Sequence, residues 1–162
     1  MSEFRKIYES YSKPVYRFLL SLTRNETMAE DLLQEVFYKA LLHIDRFEGK
    51  SSLYTWLCQI GKNAWLKECT KHKKHIMYPI EEVAVMADSQ PTPEEQAIAR
   101  EEHILVRKAV LRLSDPYKDV FLLHTYGDIK LKEIAELYEK SETWARVTYY
   151  RAKQQIIQEV LK

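Results

Sequence analysis

Apolar residues recur at every third or fourth position along most of the N-terminal half of the chain, a spacing typical of helices that bury one face. The first such stretch covers residues 4–22, and Pro14 within it predicts a kink or a break near Ser12. The second extends to position 44, and Asn25 or Thr27 is expected to cap its N-terminus. Two successive amphipathic helices are therefore predicted.

A third amphipathic stretch follows a short loop around Gly49, with Ser51 or Ser52 as the expected N-cap. Its apolar face carries two of the three tryptophans and consists of Leu53, Trp56, Leu57, Ile60, Ala64 and Trp65. Large aromatic residues at helical spacing are usually packing residues, so Trp65 in particular is expected in the core.

The C-terminal half shows the same periodicity in shorter pieces. An amphipathic helix over 97–113 is followed by a second over 117–126, for which Ser114 is the expected cap. Two further helices follow, one from about Leu131 to Tyr138 and one capped by Ser141, which is the layout of a helix-turn-helix. A helical hairpin that binds no DNA would give the same pattern.

Residues 77–95 separate the two halves and have the composition of a linker. They combine acids with prolines at 79, 91 and 93, and Pro91-Thr92-Pro93 disfavours helix on both sides. The predicted fold is therefore all-α, with two small helical domains joined by a flexible linker. The first covers residues 1–76, and the second, which contains the helix-turn-helix, covers 96–162.

The charges are strongly segregated along the chain, although the formal net charge is only +1. Between positions 62 and 75 there are five lysines against Glu68, and between 81 and 102 there are seven acids against Arg100. A local basic patch allows a near-neutral protein to bind nucleic acid. A solvated lysine-rich helix face is the alternative interpretation.

The segment from Phe47 to His75 places four aromatic residues ahead of the lysine cluster: Phe47, Tyr54, Trp56 and Trp65. Aromatic rings stack on unpaired bases and lysines bind phosphates, so this combination suits single-stranded nucleic acid. The predicted second helix of the helix-turn-helix adds a duplex-binding face. Its inward side would carry Ala145, Tyr149, Ala152 and Ile156, and its groove-facing side Thr143, Arg146, Val147 and Tyr150.

Other classes of function find little support in the residues. Cys58 and Cys69 would lie roughly 16 Å apart on one helix, too far for a disulfide, and no histidine stands at ligand spacing beside them. No metal, cofactor or catalytic constellation is therefore expected, and no enzyme. Early charges and the lack of a long apolar run predict a cytoplasmic protein without a signal peptide or membrane insertion.

Three segments resemble the bacterial RNA polymerase sigma factors of the extracytoplasmic-function (ECF) type: AEDLLQEVFYKAL, FEGKSSLYTWLCQIGKNAWL and LRLSDPYKDVFLLHTYGDIKLKEIAELYEKSETWARVTYYRAKQQI. They follow the family's order and cover nearly the whole chain. The resemblance implies a protein that binds RNA polymerase core and directs promoter-specific transcription initiation. It also implies contacts with the β′ clamp helices and the β flap, with double- and single-stranded promoter DNA, and with an anti-sigma factor.

The resemblance further implies roles for particular residues. Docking on the clamp helices would use Asp31, Leu32, Gln34, Glu35 and Phe37. Recognition and melting of the −10 element would use Lys62, Asn63, Lys67, Lys71, Lys73 and Lys74. The helix-turn-helix over 131–150 would recognise the −35 element through Lys132, Thr143, Arg146, Val147, Tyr150 and Arg151.

The chain departs from the family at three positions. Most relatives have a glycine where this chain has Glu139, and a left-handed residue there would carry a strain of roughly 1 kcal/mol. Trp144 is bulky for the start of a recognition helix and is expected to pack on polymerase, on the preceding helix or on the DNA backbone. Thr148 replaces a frequent basic residue.

Two alternatives belong to other classes. A helix-turn-helix regulator that acts without polymerase would not explain the acidic helix or the aromatic and lysine-rich stretch. An adaptor made of interacting helices would need the lysines only for solvation. Binding to polymerase core, and to promoter DNA in its presence, distinguishes the three interpretations.

Overall fold

The structure is a computed structural model that describes residues 2–75 and 93–162, with side chains throughout except at positions 2, 72–75, 95 and 99. All regular elements in these ranges are helical, which confirms the predicted fold class. A short 3₁₀ turn covers Ile44–Arg46, and the helices are α1 (Ser2–Thr23), α2 (Glu26–His43), α3 (Leu53–His75), α4 (Pro93–Arg112), α5 (Tyr117–Thr125), α6 (Leu131–Leu137) and α7 (Glu142–Val160).

Helices α1, α2 and α3 pack against one another around an apolar core. Val15, Leu19, Val36 and Leu57 are fully buried in it, and Trp65 is only 5% exposed, as predicted. The helices approach closely at Gly61, because a Cβ there would lie 3.0 Å from Leu19 Cδ2. The N-terminal half is therefore a three-helix bundle.

Helix α1 is continuous, so the predicted break near Ser12 is wrong. Pro14 removes one backbone hydrogen bond and disfavours helix. The burial of Phe18 and Leu22 together with the rest of the apolar face outweighs that local preference.

Two of the candidate N-caps are confirmed. Asn25 Oδ1 accepts a hydrogen bond from the backbone N–H of Met28 at 3.0 Å, and Ser52 Oγ accepts one from Thr55 at 3.1 Å. Both side chains satisfy backbone donors that a helix N-terminus leaves unpaired.

In the C-terminal half, two predicted helix starts need correction. Helix α4 begins at Pro93 rather than at position 97, since proline is accommodated in the first turn, where no intrahelical partner for its nitrogen exists. Pro116, not Ser114, is the N-cap of α5; Ser114 contributes only its carbonyl oxygen, which accepts from the Lys118 N–H at 3.0 Å.

Helices α6 and α7 form the predicted helix-turn-helix and pack against α5. Ser141 Oγ caps α7 by accepting from the Trp144 N–H at 3.1 Å. Ala135 and Ala145 are buried, and their small side chains allow α6 and α7 to approach.

The two halves pack on each other, with α3 contacting α5 and α6. Their buried apolar side chains form one continuous cluster. Gly127 lies at this contact: a Cβ there would meet the Leu123 carbonyl oxygen at 2.6 Å and a ring carbon of Phe18 at 3.3 Å. The Leu123 carbonyl oxygen of α5 therefore leaves no room for a Cβ at this position, and the Phe18 ring of α1 packs closely beside it.

Candidate nucleic-acid interface

Helix α3 presents an exposed polar ridge on the side away from the core. Asn63, Lys67 and Lys71 are spaced four residues apart and are all exposed. Lys71 lies 4.0 Å from Glu68, an ion pair too long and too exposed to hold the ammonium strongly. The side chains of Lys73 and Lys74, also predicted to bind DNA, lie outside the described residues. Three of the six predicted −10 contacts thus form one surface.

Lys62 does not belong to this surface, which corrects the prediction for the arrangement seen here. Its side chain is 0% exposed, and Nζ lies 2.6 Å from Oδ1 of Asp119 on α5. A shift of one residue on a helix turns the side chain by about 100°. Position 62 therefore faces the C-terminal half, whereas position 63 faces solvent.

Asp119 is the centre of this buried polar contact. Its second oxygen, Oδ2, accepts a hydrogen bond from the Tyr138 hydroxyl at 2.6 Å. Burial disfavours the charged carboxylate and raises its pKa. The charge and hydrogen bond of Lys62, together with the hydrogen bond from the Tyr138 hydroxyl, have the larger opposite effect, so the pKa of Asp119 lies below its ordinary value. Burial lowers the pKa of Lys62, and Asp119 offsets part of that effect.

The aromatic residues of the segment from Phe47 to His75 divide into two sets. Trp65 is a core residue with the Arg107 guanidinium 5.5 Å from its ring, and Tyr54 donates its hydroxyl to the Gly127 carbonyl oxygen at 2.9 Å. Phe47 and Trp56 are partly exposed, with ring centroids 5.4 Å apart. The second pair offers ring surface to a base.

The outward face of α7 is as predicted. Thr143, Arg146, Val147 and Tyr150 are exposed, while Ala145 and Ala152 are buried. Lys132 and Arg151 are exposed as well, and Arg146 pairs with Glu142 one turn earlier. An uninterrupted helix face with a cation and hydroxyl groups can contact base edges and phosphates in a major groove.

The departures from the family have local structural explanations. Glu139 is left-handed, with φ 57°, and its carboxylate lies 2.6 Å from Nζ of Lys50 in the loop before α3. The Trp144 ring packs on Tyr138 at a centroid distance of 5.7 Å, so of the three expected partners it contacts the preceding helix. Thr148 is buried and does not face the groove.

The predicted polymerase-docking set on α2 is brought together only in part. Asp31 and Gln34 are exposed and Glu35 is half-exposed, but Leu32 and Phe37 are each 4% exposed and belong to the core. They lie on the buried stripe of α2, which corrects the prediction at these two positions.

The outer face of α2 instead carries Tyr38 and Leu42, at 63% and 54% exposure, which the sequence prediction missed. Tyr38 lies four residues after Gln34, and Leu42 lies seven residues after Glu35. This helical spacing places them on the same face as the polar residues and was the available signal. Together these residues form an acidic surface with exposed apolar groups.

Two kinds of feature are absent from the described residues. No helix combines the length and apolar composition needed to cross a bilayer. No group of three or more histidine, cysteine or acidic side chains is arranged to hold a metal ion in this part of the chain.

The fold and this surface define a two-part helical protein, whose N-terminal part carries a basic helix and whose C-terminal part contains a helix-turn-helix. Two family profiles match the chain: Sigma-70 region 2 over residues 7–75 and Sigma-70 region 4 over residues 103–156. The chain belongs to the sigma-70 family of RNA polymerase sigma factors, in its ECF group.

Curated relatives agree with this assignment. The ECF RNA polymerase sigma factor SigM of Bacillus subtilis is 33% identical over 93% of this chain and 91% of its own length. The sigma factor YlaC of the same organism is 26% identical over 96% of this chain and 91% of its own length. The chain is thus a sigma factor, which binds RNA polymerase and promoter DNA and directs promoter-specific transcription.

Two solved structures share the fold. One is the sigma factor RpoE in complex with the anti-sigma factor NepR from Bartonella quintana, with TM-score 0.56, 21% identity, and coverage of 99% of this chain and 98% of that chain. The other is CnrH in complex with the cytosolic domain of CnrY, with TM-score 0.54, 16% identity, and coverage of 96% and 85%.

Proposed function

We propose that the ridge of Asn63, Lys67 and Lys71 binds the −10 element as a single strand. Trp56 lies seven residues before Asn63, two helical turns along the same side of α3, and its partly exposed ring would stack on an unpaired base. The lysines would hold the adjacent phosphates. This alignment of ring, amide and ammonium groups on one helix face is the observation that carries the proposal.

The α7 face is proposed to recognise the −35 element in duplex DNA. Arg146 and Thr143 near the helix N-terminus would reach base edges, and Lys132 and Arg151 would contact phosphates. The exposed hydroxyl of Tyr150 lies on the same face.

The outer face of α2 is the proposed docking surface for the clamp helices of polymerase. Asp31, Gln34 and Glu35 supply charge and polar groups, and Tyr38 and Leu42 supply apolar contact area. The C-terminal domain, proposed to cover 96–162, would contact the β flap, and the N-terminal domain would cover 1–76. We further propose that the protein acts in the cytoplasm, that an anti-sigma factor restrains it, and that it has no catalytic activity of its own.

Run-off transcription with reconstituted polymerase core on a genomic promoter library tests the proposal. The wild-type chain should give promoter-specific transcripts, and Asn63→Ala combined with Lys67→Ala should reduce open-complex formation much more than core binding. A matched control is Lys6→Ala with Lys13→Ala, two exposed positions on α1. Equal loss of core binding and open complexes would contradict the role given to the ridge. Failure to bind core would favour a regulator that acts alone.

A further inference from the structure

Basic side chains converge beside helix α4, away from the surfaces described above. Arg100, His103 and Arg107 are spaced three and four residues apart, so they share one face of α4. The Arg107 guanidinium lies over the Trp65 ring of α3, 5.5 Å from its centroid, which orients this face. Arg24, at the corner between α1 and α2, lies close enough for its charge to act on the His103 imidazole. Cations from separate parts of the chain therefore face one another.

This cluster carries positive charge that the described acids do not neutralise by direct pairing. Within residues 2–75 and 93–162, Arg24, Arg100 and His103 form no ion pair with a carboxylate. Nε of Arg100 is buried and has no hydrogen-bond partner in the same ranges. Glu102 acts on His103 with the opposite sign, but it is exposed, and solvent weakens the interaction.

The surplus charge has a measurable effect on the imidazole. Burial and the positive charges of Arg24 and Arg107 lower the pKa of His103, against the smaller effect of Glu102. A bound anion would offset these charges and could accept a hydrogen bond from Nε of Arg100. Guanidinium groups suit phosphate in particular, because their planar N–H donors form paired, charge-assisted hydrogen bonds with its oxygens.

We propose that Arg24, Arg100, His103 and Arg107 form a binding site for a small molecule that carries a diphosphate group. Positions 100 and 107 are separated by about 10 Å along the helix axis, so two linked phosphates span the cluster better than one. The three arginines are half-buried, which favours a small ligand over a rigid DNA duplex. The proposal is independent of the promoter contacts proposed above, because it uses none of their residues.

Isothermal titration calorimetry of the full chain with inorganic pyrophosphate tests the site without polymerase or DNA. One equivalent should bind at an ionic strength held constant with potassium chloride, so that screening alone does not account for the heat. Arg24→Gln and Arg100→Gln should each weaken binding roughly tenfold or more, because each removes charge-assisted hydrogen bonds. Lys108→Gln is a matched control that removes one charge from an exposed position of α4, and it should bind like wild type.

The His103 imidazole provides a second measurement. Its titration, followed by NMR, should move to higher pH in saturating pyrophosphate, because the anion offsets the surrounding positive charge. His103→Gln identifies the signal. A nucleoside diphosphate distinguishes two sources of the same group: binding equal to that of pyrophosphate assigns recognition to the diphosphate alone, and tighter binding assigns the site to a nucleotide.

The proposal is overturned if pyrophosphate shows no saturable binding, if it leaves the His103 titration unchanged, or if Lys108→Gln weakens binding as much as Arg100→Gln. Weaker promoter binding by the Arg24→Gln and Arg100→Gln holoenzymes, without pyrophosphate binding to wild type, would instead assign the cluster to nucleic acid and also overturn it. If Arg100→Gln loses helical circular dichroism, His103→Gln, at an exposed position, replaces it and should weaken pyrophosphate binding severalfold.

Discussion

Removing two lysines from the exposed ridge of α3 should lower the salt dependence of promoter binding by a calculable amount. Lys67 and Lys71 are exposed, and Lys71 has only a 4.0 Å contact with Glu68, so both ammonium groups are available to phosphate. Each phosphate neutralised on a single strand contributes about 0.7 to the slope of log affinity against log salt. Lys67→Ala with Lys71→Ala should therefore reduce the slope by about 1.4.

The assay is promoter binding by reconstituted holoenzyme, measured from about 50 to 200 mM potassium chloride. Over this fourfold change in salt, wild-type affinity should fall roughly sevenfold more than that of the double variant. The control variant, Lys6→Ala with Lys13→Ala, removes the same charge from α1 and should keep the wild-type slope. An unchanged slope in the α3 variant, or an equal reduction in the control, would refute the assignment of the ridge to phosphate contacts.

Two further predictions concern stability. Trp65→Ala should lower the free energy of unfolding by about 3–5 kcal/mol, because the residue is only 5% exposed. Trp65→Phe should lower it much less. If denaturant titration of Trp65→Ala shows a loss under about 1 kcal/mol, the ring is not a core residue. The second prediction concerns the pH dependence of stability. Burial of the Asp119 carboxylate raises its pKa, but the charge and hydrogen bond of Lys62 lower it by more, so the pKa of Asp119 lies below 3.8. The stability that this carboxylate contributes is complete above that pH and is lost as the pH falls through the lower folded value. On acidification, Asp119→Asn should accordingly lose less free energy of unfolding than wild type. If the free energy of unfolding falls in parallel with pH in both proteins, the pairing of Lys62 with Asp119 is contradicted.

Signals within a few residues of each other predicted most of the helix caps and the buried face of α7. The caps at Asn25, Ser52 and Ser141 and the inward face of α7 depend only on neighbouring residues, and all were recovered. Pro14 was misleading, since a local preference against helix is weaker than the burial of the whole α1 face.

The site was less predictable than the helices. Leu32 and Phe37 were assigned to the docking surface because the resemblance names residues without giving their orientation. Both lie on the buried stripe of α2. Tyr38 and Leu42 lie on the face that stays exposed, and only the packing of α2 on its neighbours shows which face that is.

The sequence by itself determined the all-helical fold, the division at a proline-containing acidic segment, and the family through its ordered motifs. These features follow from periodicity, capping and motif order, which are properties of short stretches of chain. The tertiary structure alone decided the surroundings of Lys62. Its partner Asp119 lies 57 positions away in the chain, and no local pattern can show that α5 and α6 pack on α3 and bury one lysine of the basic stretch while Asn63, Lys67 and Lys71 stay exposed.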